Sequence, residues 1–71
     1  MHTYEIRITR QRFQGPDVFC SAHISDYAAV RRAHILAGAG AAIEVWRGIE
    51  CIFAGAAQVS PEAGAQTELH G

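Results

Sequence analysis

The sequence predicts an α+β domain of ββαββ pattern: one helix packed on a four-stranded antiparallel sheet with the strands in the order 2-1-3-4, followed by a C-terminal tail. Three observations carry this. Tyr4, Ile6 and Ile8 alternate with Glu5, Arg7 and Thr9; Ala29, Val30, Ala33, Leu36 and Ala37 recur at helical spacing; and residues 43–53 are spaced as a hairpin. Alternation with period two marks a strand buried on one face, while apolar positions at i, i+4, i+7 and i+8 mark one side of a helix.

The first strand is followed by Gly15-Pro16-Asp17, where Pro fixes φ and Gly tolerates the bend, so the chain reverses. In the second strand Val18, Cys20 and Ala22 alternate with Phe19, Ser21 and His23, and the first set is assigned to the core. Ser25 or Asp26 caps a helix that runs to about Ala37 and stops at Gly38. Three of its five stripe residues are Ala, which lets the helix approach the sheet closely. Ile35 lies off the stripe, as peripheral packing or as part of a partner contact.

For the closing hairpin, a three-residue loop of Arg47, Gly48 and Ile49 places Ile43, Val45, Cys51 and Phe53 on one face. Glu44, Trp46, Glu50 and Ile52 fall on the other. A two-residue turn fails, because it would bring Glu50 beside Val45 or Glu44 beside Cys51, and a one-residue slip moves a whole strand's side chains to the wrong side. The expected core is thus Tyr4, Ile6, Ile8, Val18, Cys20, Ala22, Val30, Ala33, Leu36, Ile43, Val45, Cys51 and Phe53. Residues 1–55 form a single domain. Residues 56–71 turn to Ala, Gly, Gln and Glu and read as a flexible tail, with Ser60-Pro61-Glu62 signalling a short helix from 61.

Composition sets the outer bounds. With 71 residues, 49% of them hydrophobic, and a net charge of −1, the chain is neither a disordered polyelectrolyte nor drawn as a whole to nucleic acid or anionic lipid. A domain this small buries only about 60% of its unfolded surface, so dimerisation is a ready supplement to its stability. Two cysteines are too few for a disulfide scaffold, the start has no leader pattern, and the uncharged run of residues 35–43 is far below the roughly 20 needed to cross a bilayer. The expected setting is cytoplasmic, without a membrane span.

Segment 26–53 carries a resemblance. The helix opening Asp26-Tyr27-Ala28-Ala29, a Gly/Ala link and then Ile43-Glu44-Val45-Trp46-Arg47-Gly48 resemble short uncharacterised bacterial proteins of ββαββ pattern that close with a "VEVW, turn, apolar strand" hairpin. The likeness implies the fold and carries no activity.

Candidate chemistry is thin. Cys20, His23, His34 and Cys51 are the residue types of a zinc site, but Cys20 and His23 point to opposite faces of a strand, and strands two and four lie roughly 14 Å apart. Both thiols are expected to be buried and free. Ser21, His23 and Asp26 are the types of a hydrolytic triad, without a nucleophile-elbow motif, and Asp26 serves as a cap. Gly38-Ala39-Gly40 leads from helix to strand, the reverse of a phosphate-binding loop. No catalytic residue, metal or cofactor is expected.

The uncovered sheet face gives the best signal. Phe19, Trp46 and Ile52, with Arg7 beside them, form an apolar patch among charges of the kind that marks association. The alternative cover is the tail, through Val59 or Leu69. The expected function is a small non-enzymatic interaction protein that forms a homodimer or docks a protein partner through the open face or an edge strand. A second reading is a weak nucleic-acid-binding module using Arg7, Arg10, Arg12 and the aromatic Phe13. Glu5, Glu44 and Glu50 oppose it.

Overall fold

A computed structural model describes residues 1–11 and 14–58. The elements are β1 (His2–Thr9), β2 (Asp17–His23), α1 (Asp26–Ala37), β3 (Ala42–Arg47) and β4 (Glu50–Ala56). Every strand pair is antiparallel and the order is β2-β1-β3-β4, so the ββαββ architecture and its strand order are as expected.

The helix has the expected limits. Ser25 is extended and its hydroxyl accepts from the Ala28 amide at 3.1 Å, satisfying a first-turn donor. Gly38, at φ +76, donates to the His34 carbonyl and ends the helix in a conformation that disfavours a Cβ. Ala29 and Ala33 are fully buried against Tyr4, Ile6, Ile8, Ile43 and Val45, each no more than 1% exposed. Val30, Leu36, Ala37 and Phe53 pack around that core.

Two side-chain assignments differ from expectation. In β2, Ile6 pairs with Phe19, Tyr4 with Ser21 and His2 with His23, and direct cross-strand partners share a face. Phe19, Ser21 and His23 therefore point to the helix side, while Val18, Cys20 and Ala22 lie on the open face and are exposed. The helix packs chiefly on β3 and also on β1 and β2, yet no residue of edge strand β2 is fully buried on either face, so its more regular apolar set is not drawn inward. The larger apolar area of Phe19 and the tilted contact of the His23 and Tyr4 rings, with centroids 5.8 Å apart, favour the observed orientation of β2.

The second difference is the closing hairpin. Arg47 pairs with Glu50 across a two-residue loop, Gly48 and Ile49, with Gly48 at φ +62 as the first central residue, the pattern of a type II′ turn. A β-bulge then corrects the parity: Trp46 pairs with Cys51 and Val45 with Phe53, which leaves Ile52 as the extra residue of β4. Phe53 points inward as expected. Cys51 instead joins Trp46 on the open face, Ile52 packs against the core, and Glu50 moves to the helix side with Arg47.

The strand pairing also extends beyond residue 55. Ala57 is buried, donates to the Ala41 carbonyl at 2.7 Å and accepts from the Gly40 amide at 3.2 Å. Gln58 then donates its amide to His34 Nδ1 at 3.1 Å, so the described chain ends on the helix side of the sheet. The remainder of the expected tail, with its short helix from 61, Val59 and Leu69, lies outside the described residues, as do Arg12 and Phe13. Among the described residues no helix is long and apolar enough to cross a membrane.

Candidate interaction surface

The open face is built by alternation. β1 contributes Thr3, Glu5, Arg7 and Thr9, and β3 contributes Ala42, Glu44 and Trp46, so charge is concentrated in the two central strands. The flanking strands are small and apolar: Val18, Cys20 and Ala22 from β2, and Cys51, Ala54 and Ala56 from β4. All six flanking residues are exposed, and none of the described elements lies above them.

At the centre, Trp46 is fixed from two sides. The Arg7 guanidinium lies 5.1 Å from its ring centroid, and the indole N–H donates to Glu44 Oε1 at 2.9 Å. Arg7 also pairs with Glu5 and lies 3.7 Å from Glu44, so its charge is held between two carboxylates. This network fixes an aromatic side chain in place, which lowers the entropy lost when a partner covers it. A shallow depression of about 260 Å³ lined by Arg7, Thr9, Pro16, Ala42 and Glu44 continues the face towards the β1–β2 connection.

The helix side carries a separate polar cluster. The buried Tyr4 ring directs its hydroxyl to Asp26 Oδ1 at 2.6 Å, and Arg47 Nη1 donates to both Asp26 oxygens at 2.6 and 2.8 Å. Arg47 Nη2 donates to Glu50 at 2.9 Å. Asp26 thereby ties the helix N-terminus to β1 and β3, while Ser25 alone does the capping. The Tyr4 hydrogen bond, with help from Arg47, holds the Asp26 carboxyl below its usual range, and the same bond raises the Tyr4 phenol.

Because its folded-state pKa is lowered, Asp26 stabilises the fold fully above the ordinary aspartate value of about 3.9 and loses that contribution as pH falls through the lower folded value. Asp26→Asn is expected to lower the urea midpoint at neutral pH, with the gap from wild type narrowing as the medium is acidified through that window. A gap independent of pH contradicts the assignment.

The remaining sequence candidates fall as follows. Ser21 Oγ and His23 Nε2 are 2.7 Å apart, yet the Asp26 carboxylate is occupied by Tyr4 and Arg47, so no triad assembles. Among the described residues no group of three or more His, Cys, Asp or Glu converges as a metal site. Cys20 and Cys51 are free as expected, but exposed instead of buried. Gly38 serves as the helix stop. Arg10 donates to Asp17 at 2.6 Å and to the Leu36 carbonyl at 3.1 Å, so it and Arg7 are both engaged within the chain.

Of the expected patch, Trp46 and Arg7 come together on the open face, whereas Phe19 and Ile52 turn to the helix side. Val18, Cys20, Ala22 and Cys51 replace them, and the sequence signal for them was an alternation assigned to the wrong side of the sheet. Comparison with known proteins finds no matching family model, no matching curated protein and no matching solved structure.

Proposed function

We propose that this chain is a small, non-enzymatic cytoplasmic interaction protein that works by burying its open sheet face against another protein chain. One observation carries the reading: a sheet face with Trp46 pinned at its centre and apolar side chains along both edges has no described element above it. Exposed apolar side chains flanking a fixed aromatic residue support association, because rigid aromatic residues supply a large share of interface energy. The free thiols suit a reducing compartment. The engagement of Arg7 and Arg10 by carboxylates of their own chain gives nucleic-acid binding no comparable support.

Sedimentation velocity tests the reading on wild type and Trp46→Ala, at low and high salt, up to about 1 mM, where an association worth about 4 kcal/mol is still visible. Wild type is expected to run heavier than its 7.7 kDa monomer and to persist at high salt. Trp46→Ala is expected to weaken association by about 2 kcal/mol, roughly 30-fold. A wild-type chain that stays monomeric throughout contradicts self-association, and a steep salt-dependent shift of oligonucleotides would favour the nucleic-acid reading instead.

A further inference from the structure

We infer that the open face is covered by a second copy of this chain, stacked face to face about a twofold axis that runs parallel to the strands and passes between β1 and β3. The inference rests on the reading that this face docks another chain, and it specifies the partner and the arrangement.

Strand pairing places residues of the open face in rows. One row reads Val18, Arg7, Glu44, Ala54 across β2, β1, β3 and β4; the next reads Cys20, Glu5, Trp46, Cys51. A twofold axis along the strands reverses the order within each row and leaves its height along the strands unchanged. Arg7 then lies over the partner's Glu44 and Glu44 over the partner's Arg7. Val18 meets the partner's Ala54, and Cys20 meets the partner's Cys51. Glu5 faces the partner's Trp46, whose ring edge carries the positive end of its quadrupole.

This match needs no adjustment of register, because the axis fixes the heights and full overlap of the two sheets fixes its lateral position. An axis across the strands is different: sliding it by one row sets Glu5 over the partner's Glu5. Small side chains on β2 and β4 allow the sheet edges to approach, and long Arg and Glu side chains span the middle of a sheet-to-sheet gap of about 10 Å. Four strands of about seven residues give a footprint of roughly 400 Å² per copy, about half that of a standard-size specific interface, so association is expected to be weak, at high micromolar concentration.

Thiol cross-linking reads the arrangement directly. Cys20 and Cys51 of one chain are separated by three strand spacings, about 14 Å, so a bis-maleimide shorter than that joins them only between copies. Wild type is expected to give a covalent dimer at concentrations where it associates. Cys20→Ser alone and Cys51→Ser alone are expected to give none, since like thiols lie on opposite edges of the stack. A one-to-one mixture of the two variants is expected to restore the cross-link, which also shows that both remain folded. Cross-linking by either single variant alone, or none in the mixture while wild type still sediments as a dimer, overturns this arrangement and leaves association standing. A monomeric wild type overturns both.

Discussion

Ile6→Ala is expected to lower the free energy of unfolding by about 2–5 kcal/mol, the range for truncating a large aliphatic side chain in a sealed core. Ile6 is 0% exposed and pairs with Val45 on one side and Phe19 on the other, in the central pair of strands beneath α1. Ala29 and Ala33 cannot fill the space left, because their side chains end at Cβ, and the cavity would remain. A domain of this length has roughly 4–10 kcal/mol in total, so the loss is a large fraction of the whole. Ile49→Ala is the control: Ile49 is 99% exposed at the hairpin tip, and its removal is expected to change stability by no more than about 0.5 kcal/mol. Urea denaturation of the two variants checks the contrast. Similar losses would contradict the placement of the core.

The elements most legible in the sequence were those with one strongly preferred face. Tyr4, Ile6 and Ile8 against Glu5, Arg7 and Thr9 leave only one orientation for β1, and Ser25 and Gly38 mark the ends of α1 through the chemistry of helix termini. Ile43, Val45 and Phe53 point inward as their spacing requires. β2 was ambiguous because it is an edge strand with an aromatic on one face and small apolar residues on the other, and neither is fully covered. The bulge at Ile52 was hidden for another reason: a three-residue loop and a two-residue loop followed by one extra residue both put Phe53 on the same face as Val45. They differ in the fate of Cys51 and Ile52. Those corrections move Cys20 and Cys51 together from the core side to the open face, where the sequence alone suggests a patch of Phe19, Trp46 and Ile52. The bond from Tyr4 to Asp26 and the pairing of Asp26 with Arg47 join residues more than twenty positions apart, and local spacing carries no sign of them.

The largest expected effect on association comes from reversing one charge of the Arg7–Glu44 pair. Arg7→Glu sets an introduced carboxylate against the partner's Glu44 twice in each symmetric dimer, and Glu44→Arg sets an introduced guanidinium against the partner's Arg7 twice. Like charges brought together in an interface cost several kcal/mol, so each variant alone is expected to associate roughly 100-fold or more weakly than wild type. Arg7 also stacks on Trp46 within its own chain, and that contact is lost in Arg7→Glu whether or not a partner is present. Mixing separates the two effects. In a one-to-one mixture every reversed charge meets its opposite across the stack, while the intrachain loss is unchanged.

Sedimentation of the Arg7→Glu chain, the Glu44→Arg chain and their equimolar mixture is the most direct test of the face-to-face assembly. Each variant is expected to sediment as a monomer where wild type is dimeric, and the mixture to recover a dimer containing one chain of each kind. Dimerisation of either variant alone at wild-type strength, or a mixture that stays monomeric, would contradict it.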